Sequence, residues 1–316
     1  MNPIGKLLLM LLASASVSTA AAPIKVLIVD GQNNHNWKAM TPFMKAQLEG
    51  SGRYQVDVAT TPAQLPSPPK AVSAELKAKA EAAAAQLRKQ FAAKWDAFRP
   101  DFARYGVVLS NYNGEDWPAP VQTAFEKYMR EGGRFVCVHA ADNSFPNWGE
   151  YNKMIGLGGW GGRTEKHGPY VYYDGEGKEV RDTSKGAGGS HGAQHEFVVQ
   201  IRKADHPITR GMPAQWKHAQ DELYDSLRGP AENMDVLATA WCEKTRRHEP
   251  MMMVIRYGKG ITFHTPMGHE NGQSLQCVGF LATLDRACEW LATGAVTQSL
   301  PPGFPTAGKS SKVGKQ

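Results

Sequence analysis

Two histidines and a glutamate are the residues whose side chains are best suited to catalysis. His139 directly follows the apolar run in "GGRFVCVHAADNSF", Glu222 lies in "DELY", and His269 lies in "GHENGQS". Imidazole and carboxylate groups transfer protons near neutral pH, and a carboxylate beside an imidazole keeps the ring in one tautomer. His139, Glu222 and His269 are therefore the candidate catalytic residues for acid/base chemistry. The alternative is that each side chain only packs or forms hydrogen bonds within its own loop.

Polar and aromatic residues near the same positions are candidates for substrate binding. A single asparagine or aspartate often only forms a turn, and a histidine at the start of a strand often only packs. Several such residues in successive loops are better explained by a ligand site. The candidate binding residues are Asn34, His35, Trp37, Asn113, Asp142, His195 and Asp221.

The same histidines could bind a divalent metal ion. Catalytic zinc takes imidazole and carboxylate ligands and keeps one position open, which makes His35, His139 and His269 the candidate ligands. The H-E-x-x-H spacing that would specify such a site is absent from the sequence. No G-x-G-x-x-G follows the first apolar run either, so we expect no dinucleotide cofactor.

The elements that must position these residues alternate between strand and helix patterns. "IKVLIVDG" (24–31) and "YGVVLSNYNG" (105–114) are typical of strands buried on both faces of a parallel sheet. Helices are predicted over 41–48, with Pro42 in the first turn, and over 121–130 and 279–292. This alternation predicts a three-layer α/β sandwich around a mainly parallel sheet, in which ligands bind at the carboxyl ends of the strands.

Further segments complete the predicted domain, which spans 23–297. "YQVDVAT", "EFVVQI" and "DVLATA" are predicted strands, and the chain turns through 257–260 in a hairpin. An alanine-rich stretch at about 71–100 has high helix propensity and is interpreted as an insertion. The glycine-rich stretch 156–193 is long enough to fold over the ligand edge as a lid.

The two ends of the chain differ from the domain in composition. Residues 1–22 contain Lys6, an apolar run from Leu7 to Leu12 and then small residues, which is typical of a secretory signal peptide. The run is too short to span a bilayer, so we expect export to a periplasm or the outside after cleavage near Ala20, without stable membrane insertion. Residues 298–316 are rich in Pro, Gly, Ser and Lys and are predicted to form a flexible tail.

Charge and cysteine content exclude some classes of protein. The net charge of +6 is spread along the chain, and no basic block is interleaved with aromatic residues, which argues against nucleic-acid binding. The four cysteines show no C-x-x-C spacing. Cys137 and Cys288 lie in apolar stretches and are predicted to be buried free thiols. The state of Cys242 and Cys277, and the oligomeric state, stay open.

Four motifs in order along the chain resemble those of the ThuA-like family, which is named for trehalose utilisation. They are "GGRFVCVHAADNSFPNWGEYNKMIG", "DHPITRGMP", "DELYDSL" and "YGKGITFHTPMGHENGQS". The resemblance runs from about Lys25 to Gly294 and leaves out the helical insertion. It implies a flavodoxin-like fold related to the class I glutamine amidotransferases, and a role in carbohydrate metabolism.

The resemblance also bears on the bend at His139. In the amidotransferase relatives, a Gly-Gly turn leads into a strand and then into a sharp elbow that presents a nucleophilic cysteine. Here the elbow position holds His139, while Cys137 lies two residues earlier on the strand. A cysteine nucleophile needs exposure and a base to form its thiolate. Cys137 is therefore predicted not to be a nucleophile, and proton transfer or metal binding by His139 is favoured instead.

Carbohydrate metabolism makes oxidised sugars such as 3-keto-glycosides a plausible substrate class. A ketone acidifies the neighbouring C–H, so a base and a group that polarises the carbonyl suffice for isomerisation or elimination. Tryptophans could offer apolar platforms for sugar rings; they are Trp37, Trp117, Trp148 and Trp160. The alternative is a non-catalytic carbohydrate-binding protein of the same fold, and the sequence alone does not separate the two.

Overall fold

The computed structural model describes residues 22–64, 74–269 and 272–314. The predicted signal peptide lies outside these residues, apart from its last position. In the described part of the chain, five α-helices are α1 (Trp37–Gly50), α2 (Ala74–Ala97), α3 (Ala119–Arg130), α4 (Gly149–Ile155) and α5 (Val278–Thr293). The strands are β1 (Ile24–Asp30), β2 (Tyr54–Thr60), β3 (Val107–Ser110), β4 (Arg134–Val138), β5 (Tyr170–Tyr173), β6 (Glu179–Asp182), β7 (Ser190–His191), β8 (His195–Ile201), β9 (Gln215–Asp221), β10 (Tyr224–Asp225), β11 (Met234–Cys242), β12 (Arg247–Tyr257) and β13 (Gly260–Thr265).

One large central sheet organises the domain, with strand order β2-β1-β3-β4-β13-β12-β11-β8-β9. The strands from β2 to β13 are parallel to one another. From β13 to β9 each strand runs antiparallel to its neighbour. The predicted α/β fold and the hairpin between β12 and β13 are confirmed. The sequence analysis missed β9 and the short strands within the glycine-rich stretch.

Helices cover both faces of the parallel strands, which gives the three predicted layers. Successive residues of β1 point to opposite faces, so Val26 and Ile28 pack with α1 and α5, whereas Leu27 and Val29 pack with α3 and α4. All four side chains are buried. A continuous β-branched run suits this position because neither face of the strand meets water.

Helix α1 begins at Trp37 rather than at the predicted Thr41, since the Asn36 carbonyl already accepts from the amides of Ala39 and Met40. Pro42 is therefore in the second turn, and the prediction of a first-turn proline is wrong. Its ring lacks the N–H that would bond the carbonyl of Lys38, a residue exposed to solvent. Helix α2 lies within the predicted insertion.

The glycine-rich stretch 156–193 is an ordered part of the domain. Buried Arg163 donates hydrogen bonds to the carbonyls of Asn143 (3.1 Å), Ser144 (2.7 Å) and Gly159 (2.6 Å). A Cβ at Gly189 would lie 2.5 Å from the Cα of Gly159, so two stretches of backbone meet there at a distance that only glycine permits. These contacts hold the stretch against the loop that follows β4.

The C-terminal segment is packed against the domain, so the prediction of a flexible tail is wrong for residues 298–314. The amide of Lys217 donates to the Thr306 carbonyl at 2.8 Å, and the amide of Val313 donates to the Gln276 carbonyl at 2.9 Å. Phe304 packs on Trp216 with ring centroids 5.7 Å apart. Composition predicted a flexible tail because one packed aromatic side chain and a few backbone hydrogen bonds hardly change the amino-acid composition of the segment.

All four cysteines are buried free thiols, which confirms the prediction for Cys137 and Cys288 and settles it for Cys242 and Cys277. Within the ranges that the structure describes, no helix combines the length and the apolar character that crossing a bilayer requires.

Candidate functional site

The candidate site lies where the neighbouring parallel strands β4 and β13 end. Val138 and Thr265 are paired at the ends of these strands, so the loops that carry His139 and His269 leave the sheet side by side. His139 has a φ of +49°, in the left-handed region that a non-glycine residue rarely adopts. The sharp elbow expected after β4 is thus present, and its strained backbone conformation directs the His139 ring towards the neighbouring loops.

Four side chains from different loops meet at this edge, and we call them the cavity cluster: His35, His139, Glu222 and His269. One nitrogen or carboxylate oxygen from each lies within 4.8 Å of the others. The His35 ring centroid is 4.7 Å from that of His139 and 4.6 Å from that of His269. Glu222 Oε1 lies 3.3 Å from His269 Nε2, and Glu222 Oε2 lies 3.9 Å from His139 Nε2.

The cluster opens on a cavity of about 460 Å³. The described residues that line it are Asn34, His35, Asn113, Gly114, Asn143, Phe145, Pro146, Trp160, Gly161, His191, Glu222 and Tyr224. One wall comes from the loops after β1 and β3, and the opposite wall comes from the glycine-rich stretch. A space of this volume accommodates a small molecule.

A hydrogen bond fixes the tautomer of His139. Its Nδ1 lies 2.7 Å from the Pro266 carbonyl oxygen, which can only accept, so Nδ1 carries the proton. The lone pair of Nε2 is then directed into the cavity cluster. The hydroxyl of Tyr224 lies 3.2 Å from this Nε2 and donates to it.

Glu222 is ionised at neutral pH. Burial acts to raise the pKa of its carboxyl, but the hydrogen bond and charge of the neighbouring His269 outweigh this and lower the pKa to about 2. His191 Nε2 lies 3.7 Å from Glu222 Oε2. The cavity therefore presents a carboxylate surrounded by imidazoles.

The donor atoms of the cavity cluster suit a divalent metal ion. Three imidazoles form a ligand set found for catalytic zinc, which keeps a fourth position open, and tetrahedral ligands at about 2.1 Å from one ion are about 3.4 Å apart. The present limit of 4.8 Å would have to shorten by about 1.4 Å to reach this spacing. The bond from His139 Nδ1 to the Pro266 carbonyl is also the kind of partner that orients a metal-binding histidine.

Asp221 lies behind the cavity cluster and is fully buried. Its Oδ2 accepts from His218 Nε2 at 2.8 Å, from the Gly268 amide at 2.9 Å and from the Ser274 hydroxyl, and its Oδ1 accepts from the Glu222 amide at 2.7 Å. It thereby ties the loop of Glu222 to the loop of His269. The prediction that Asp221 binds substrate is corrected, because every oxygen is used inside the protein.

The pair Asp221–His218 is charged by mutual stabilisation. Burial acts to raise the pKa of Asp221, but the bond to His218 outweighs it and lowers the pKa. Burial likewise acts to lower the pKa of His218, but the neighbouring Cys277 and Asp221 outweigh it and raise the pKa. The pair is thus a buried ion pair.

Asp142 forms a second buried pair and also does not reach the cavity. Its Oδ2 lies 3.1 Å from His264 Nε2, and His264 Nδ1 lies 2.9 Å from the Ile155 carbonyl. Both side chains are fully buried. The prediction that Asp142 contacts substrate is therefore corrected to a role in holding the turn after β4 against β13.

The remaining predicted binding residues divide into two groups. Asn34 and Asn113 line the cavity and are joined by a hydrogen bond of 2.7 Å. Trp37 begins α1 and His195 begins β8 with its Nδ1 2.9 Å from the Ala193 carbonyl; neither lines the cavity. His195 pairs with Asp221 along the β8–β9 ladder.

Among the four tryptophans proposed as platforms, Trp160 alone lines the cavity. Trp117 and Trp148 are buried in the aromatic core against α3 and α4, with their ring centroids 6.1 Å apart. Cys137 is also fully buried, and burial raises the pKa of its thiol well above the usual range. A thiol in this environment does not form the thiolate that nucleophilic chemistry needs.

Tyr224 and His191 were missed as lining residues by the sequence analysis. They are directly paired in the two-stranded β10–β7 sheet. Tyr224 lies two residues after Glu222, and residues two apart in extended chain share a face. That spacing could have indicated Tyr224 from the sequence. The pairing of His191 with Tyr224 joins distant parts of the chain and has no signal in the local sequence.

Comparison with known proteins identifies the family of this chain. A family model described as ThuA, trehalose utilisation, matches residues 25–291. The chain belongs to the ThuA family. No protein with a curated description matches the chain significantly.

Two solved structures of ThuA-like proteins are similar to the chain. A putative ThuA-like protein from Parabacteroides merdae is 40% identical, with 92% of this chain and 98% of that chain covered and a TM-score of 0.80. A putative ThuA-like protein from Bacteroides uniformis is 17% identical, with 90% and 98% covered and a TM-score of 0.55, a similarity that concerns the fold alone.

Proposed function

We propose that this ThuA-family protein converts an oxidised sugar, a 3-keto-glycoside, by acid/base chemistry with the assistance of a divalent metal ion. The observation that carries the proposal is the cavity cluster, in which three imidazoles and an ionised carboxylate converge beside a cavity that His35 and Glu222 line. The family description adds a connection to carbohydrates.

His35, His139 and His269 are the residues that would hold the metal, with Glu222 beside them as a base rather than a ligand. A divalent ion at this position supplies a Lewis acid that polarises the carbonyl of the substrate. The imidazole of His139 is prepared for this role because the Pro266 carbonyl holds the proton on Nδ1 and leaves Nε2 free to bind.

Glu222 is the proposed base. It is ionised at neutral pH and lines the cavity, so a bound substrate can reach its oxygens. The C–H bond next to the ketone breaks, its proton passes to a Glu222 oxygen, and the electron pair forms an enolate on the sugar. In an isomerisation, the proton returns to the former carbonyl carbon while the hydroxyl proton of the adjacent carbon passes to the enolate oxygen, which moves the ketone by one carbon. In an elimination, the enolate electrons form a C=C bond, and the glycosidic oxygen leaves with its bonding electron pair and takes up the proton that Glu222 accepted. Hydrolysis follows if water then adds to the eliminated product.

The cavity walls are suited to binding the sugar. Asn34, Asn113 and Asn143 line the cavity and carry amide groups that pair with hydroxyls. Trp160 lines the opposite wall with an apolar ring that can pack on a sugar face. These residues would orient the ketone towards Glu222.

The experiment that tests the proposal is a screen of purified protein against glycosides and their 3-keto forms, with added Zn²⁺, Mn²⁺ or Co²⁺ and with chelator. In heavy water, NMR would follow deuterium uptake at the carbon beside the ketone. Conversion or exchange that requires metal and Glu222 is the expected result. Binding of sugar without exchange under every condition would replace the enzyme with a carbohydrate-binding protein.

We also propose that the mature protein acts outside the cytoplasm. The support is Lys6, the apolar run from Leu7 to Leu12 and the small residues before Ala21. N-terminal sequencing of protein from the native host should find a start near Ala21, and an intact Met1 on cytosolic protein would contradict the proposal.

A further inference from the structure

Tyr224 occupies a distinctive position between the cavity cluster and the cavity. Its side chain lines the cavity while its residue is only 2% exposed, so its place is fixed by packing. Its ring lies 4.7 Å from the ring of His139 and 4.7 Å from the ring of Trp160, measured between centroids. The pairing of β10 with β7 holds its backbone.

The hydroxyl of Tyr224 is directed at the nitrogen that the proposed metal would use. The distance from Tyr224 Oη to His139 Nε2 is 3.2 Å, and Nε2 has no proton because Nδ1 donates to the Pro266 carbonyl. The hydroxyl is therefore the donor. Once the Nε2 lone pair binds an ion, the hydroxyl loses this acceptor but remains beside the cluster, with its proton available to an oxygen bound there.

The other cavity residues beside the cluster are less suited to donate. His191 Nδ1 lies 2.8 Å from the Gly192 carbonyl, so its Nε2, 3.7 Å from Glu222, is an acceptor in the neutral ring. Glu222 itself is a carboxylate and accepts only. Tyr224 is the one hydroxyl among the described lining residues.

We propose that Tyr224 is a further catalytic residue whose hydroxyl donates a hydrogen bond to the carbonyl oxygen of the bound keto sugar. As the C–H proton leaves for Glu222, negative charge builds up on that oxygen, and the hydrogen bond stabilises it. Tyr224 keeps its own proton throughout, so no covalent step is assigned to it. The inference rests on the proposed function.

The test compares Tyr224→Phe with a matched control, Tyr170→Phe, in the full chain. Phenylalanine keeps the ring contacts with His139 and Trp160 and removes only the hydroxyl. Tyr170 loses an equally good hydrogen bond, 2.8 Å to the Ala187 carbonyl, but does not line the cavity. Thermal unfolding of both variants establishes that each is folded.

Three measurements distinguish a donor from a structural residue. Zn²⁺ affinity by calorimetry should stay within about threefold of wild type in both variants, since the three histidine ligands remain. The kcat with a methyl 3-keto-glucoside should fall about 10²- to 10³-fold in Tyr224→Phe, the usual cost of one lost oxyanion donor, with KM little changed. The ¹³C shift of the bound ketone carbon should move upfield in Tyr224→Phe and stay at the wild-type position in Tyr170→Phe.

The outcomes separate this inference from the proposed function. Wild-type turnover with an unchanged kcat and carbon shift in Tyr224→Phe would overturn the role of Tyr224 alone. If the wild type is inactive but the carbon shift of its bound ketone still depends on Tyr224, the proposed catalytic function is wrong and the hydrogen bond from Tyr224 is supported. A wild type that binds no ketone would overturn both.

Discussion

The same pairing of imidazole with carboxylate occurs in two neighbouring regions of this molecule with opposite consequences. In the cavity cluster, Glu222 and His35 line a cavity, and the distances from Glu222 to His269 (3.3 Å) and His139 (3.9 Å) are longer than ordinary hydrogen bonds. In the pair behind it, Asp221 and His218 are fully buried and joined at 2.8 Å. The Glu222 carboxylate therefore faces a cavity, whereas both oxygens of Asp221 are occupied within the protein.

The difference shows how burial decides the role of identical functional groups. Asp221 spends its oxygens on His218, Ser274 and two backbone amides, so it can only position the loops around it. Glu222 is adjacent in sequence but faces the cavity, where a substrate proton or a metal ion can reach it. The proposed chemistry therefore uses Glu222 in the open region, whereas Asp221 in the buried region holds the surrounding loops in place.

The largest effect is expected from breaking the buried pair. Asp221→Asn leaves His218 as a charged group without its counter-ion and should lower the free energy of unfolding by about 3–5 kcal/mol near pH 6. Denaturant titration measures this. Asp142→Asn, in the second buried pair, is a companion that should also destabilise the protein. A change below about 1 kcal/mol in Asp221→Asn would contradict the assigned role.

His139→Ala and His269→Ala test the open region. Each should reduce activity on the keto sugar by about a hundredfold or more, the usual size of an acid/base contribution, and should weaken metal binding. Stability should change less than in Asp221→Asn, because neither change leaves a fully buried charge without its counter-ion. Rate measurements and unfolding curves on the same preparations check this. A loss of stability that matches the loss of activity would make His139 a structural residue.

The pH dependence of stability should also come from the buried pair. The pKa of His218 is raised to about 9 in the folded protein, against about 6.5 when unfolded. Its contribution is therefore fully present below pH 6.5 and is lost as the pH rises through 9, with a total of about 3 kcal/mol. Unfolding measured from pH 6 to 10 should show this decline in wild type. The decline should be shallower in Asp221→Asn, and an equal slope would argue that another group titrates.

The smallest effect is expected at Cys137, which belongs to neither region. Cys137→Ser should leave activity within a fewfold of wild type, because the buried thiol does not form a thiolate. Steady-state rates on the folded variant test this, with Cys288→Ser as a control for another buried thiol. Complete loss of activity with the fold retained would restore the cysteine nucleophile.

Much of the fold could be read from local patterns. The strand at β1 and the strand before His139 are continuous apolar runs, and such runs are typical of strands with both faces buried. Polar residues after parallel strands pointed to the edge where His35, His139 and His269 meet. These inferences need only neighbours in sequence and a general rule about parallel sheets.

Errors arose where a side chain's role depended on distant parts of the chain. His195 was a predicted binding residue and His191 was not, but the pairing of β7 with β10 puts His191 beside Tyr224, whereas the β8–β9 ladder pairs His195 with Asp221. Asp142 was predicted to bind substrate, but its Oδ2 is instead paired with His264, which lies 122 residues further along the chain.

The sequence by itself determined the α/β fold and the edge of the sheet where chemistry is expected, because strand burial follows from local composition and periodicity. The elbow at His139 was an expectation from the family resemblance. Only the tertiary structure decided which polar groups at that edge remain available. Availability depends on whether a residue far along the chain supplies the missing hydrogen bond and excludes water. Asp221 and Glu222 are neighbours in sequence, and that difference in partners separates a buried support from a group that can react.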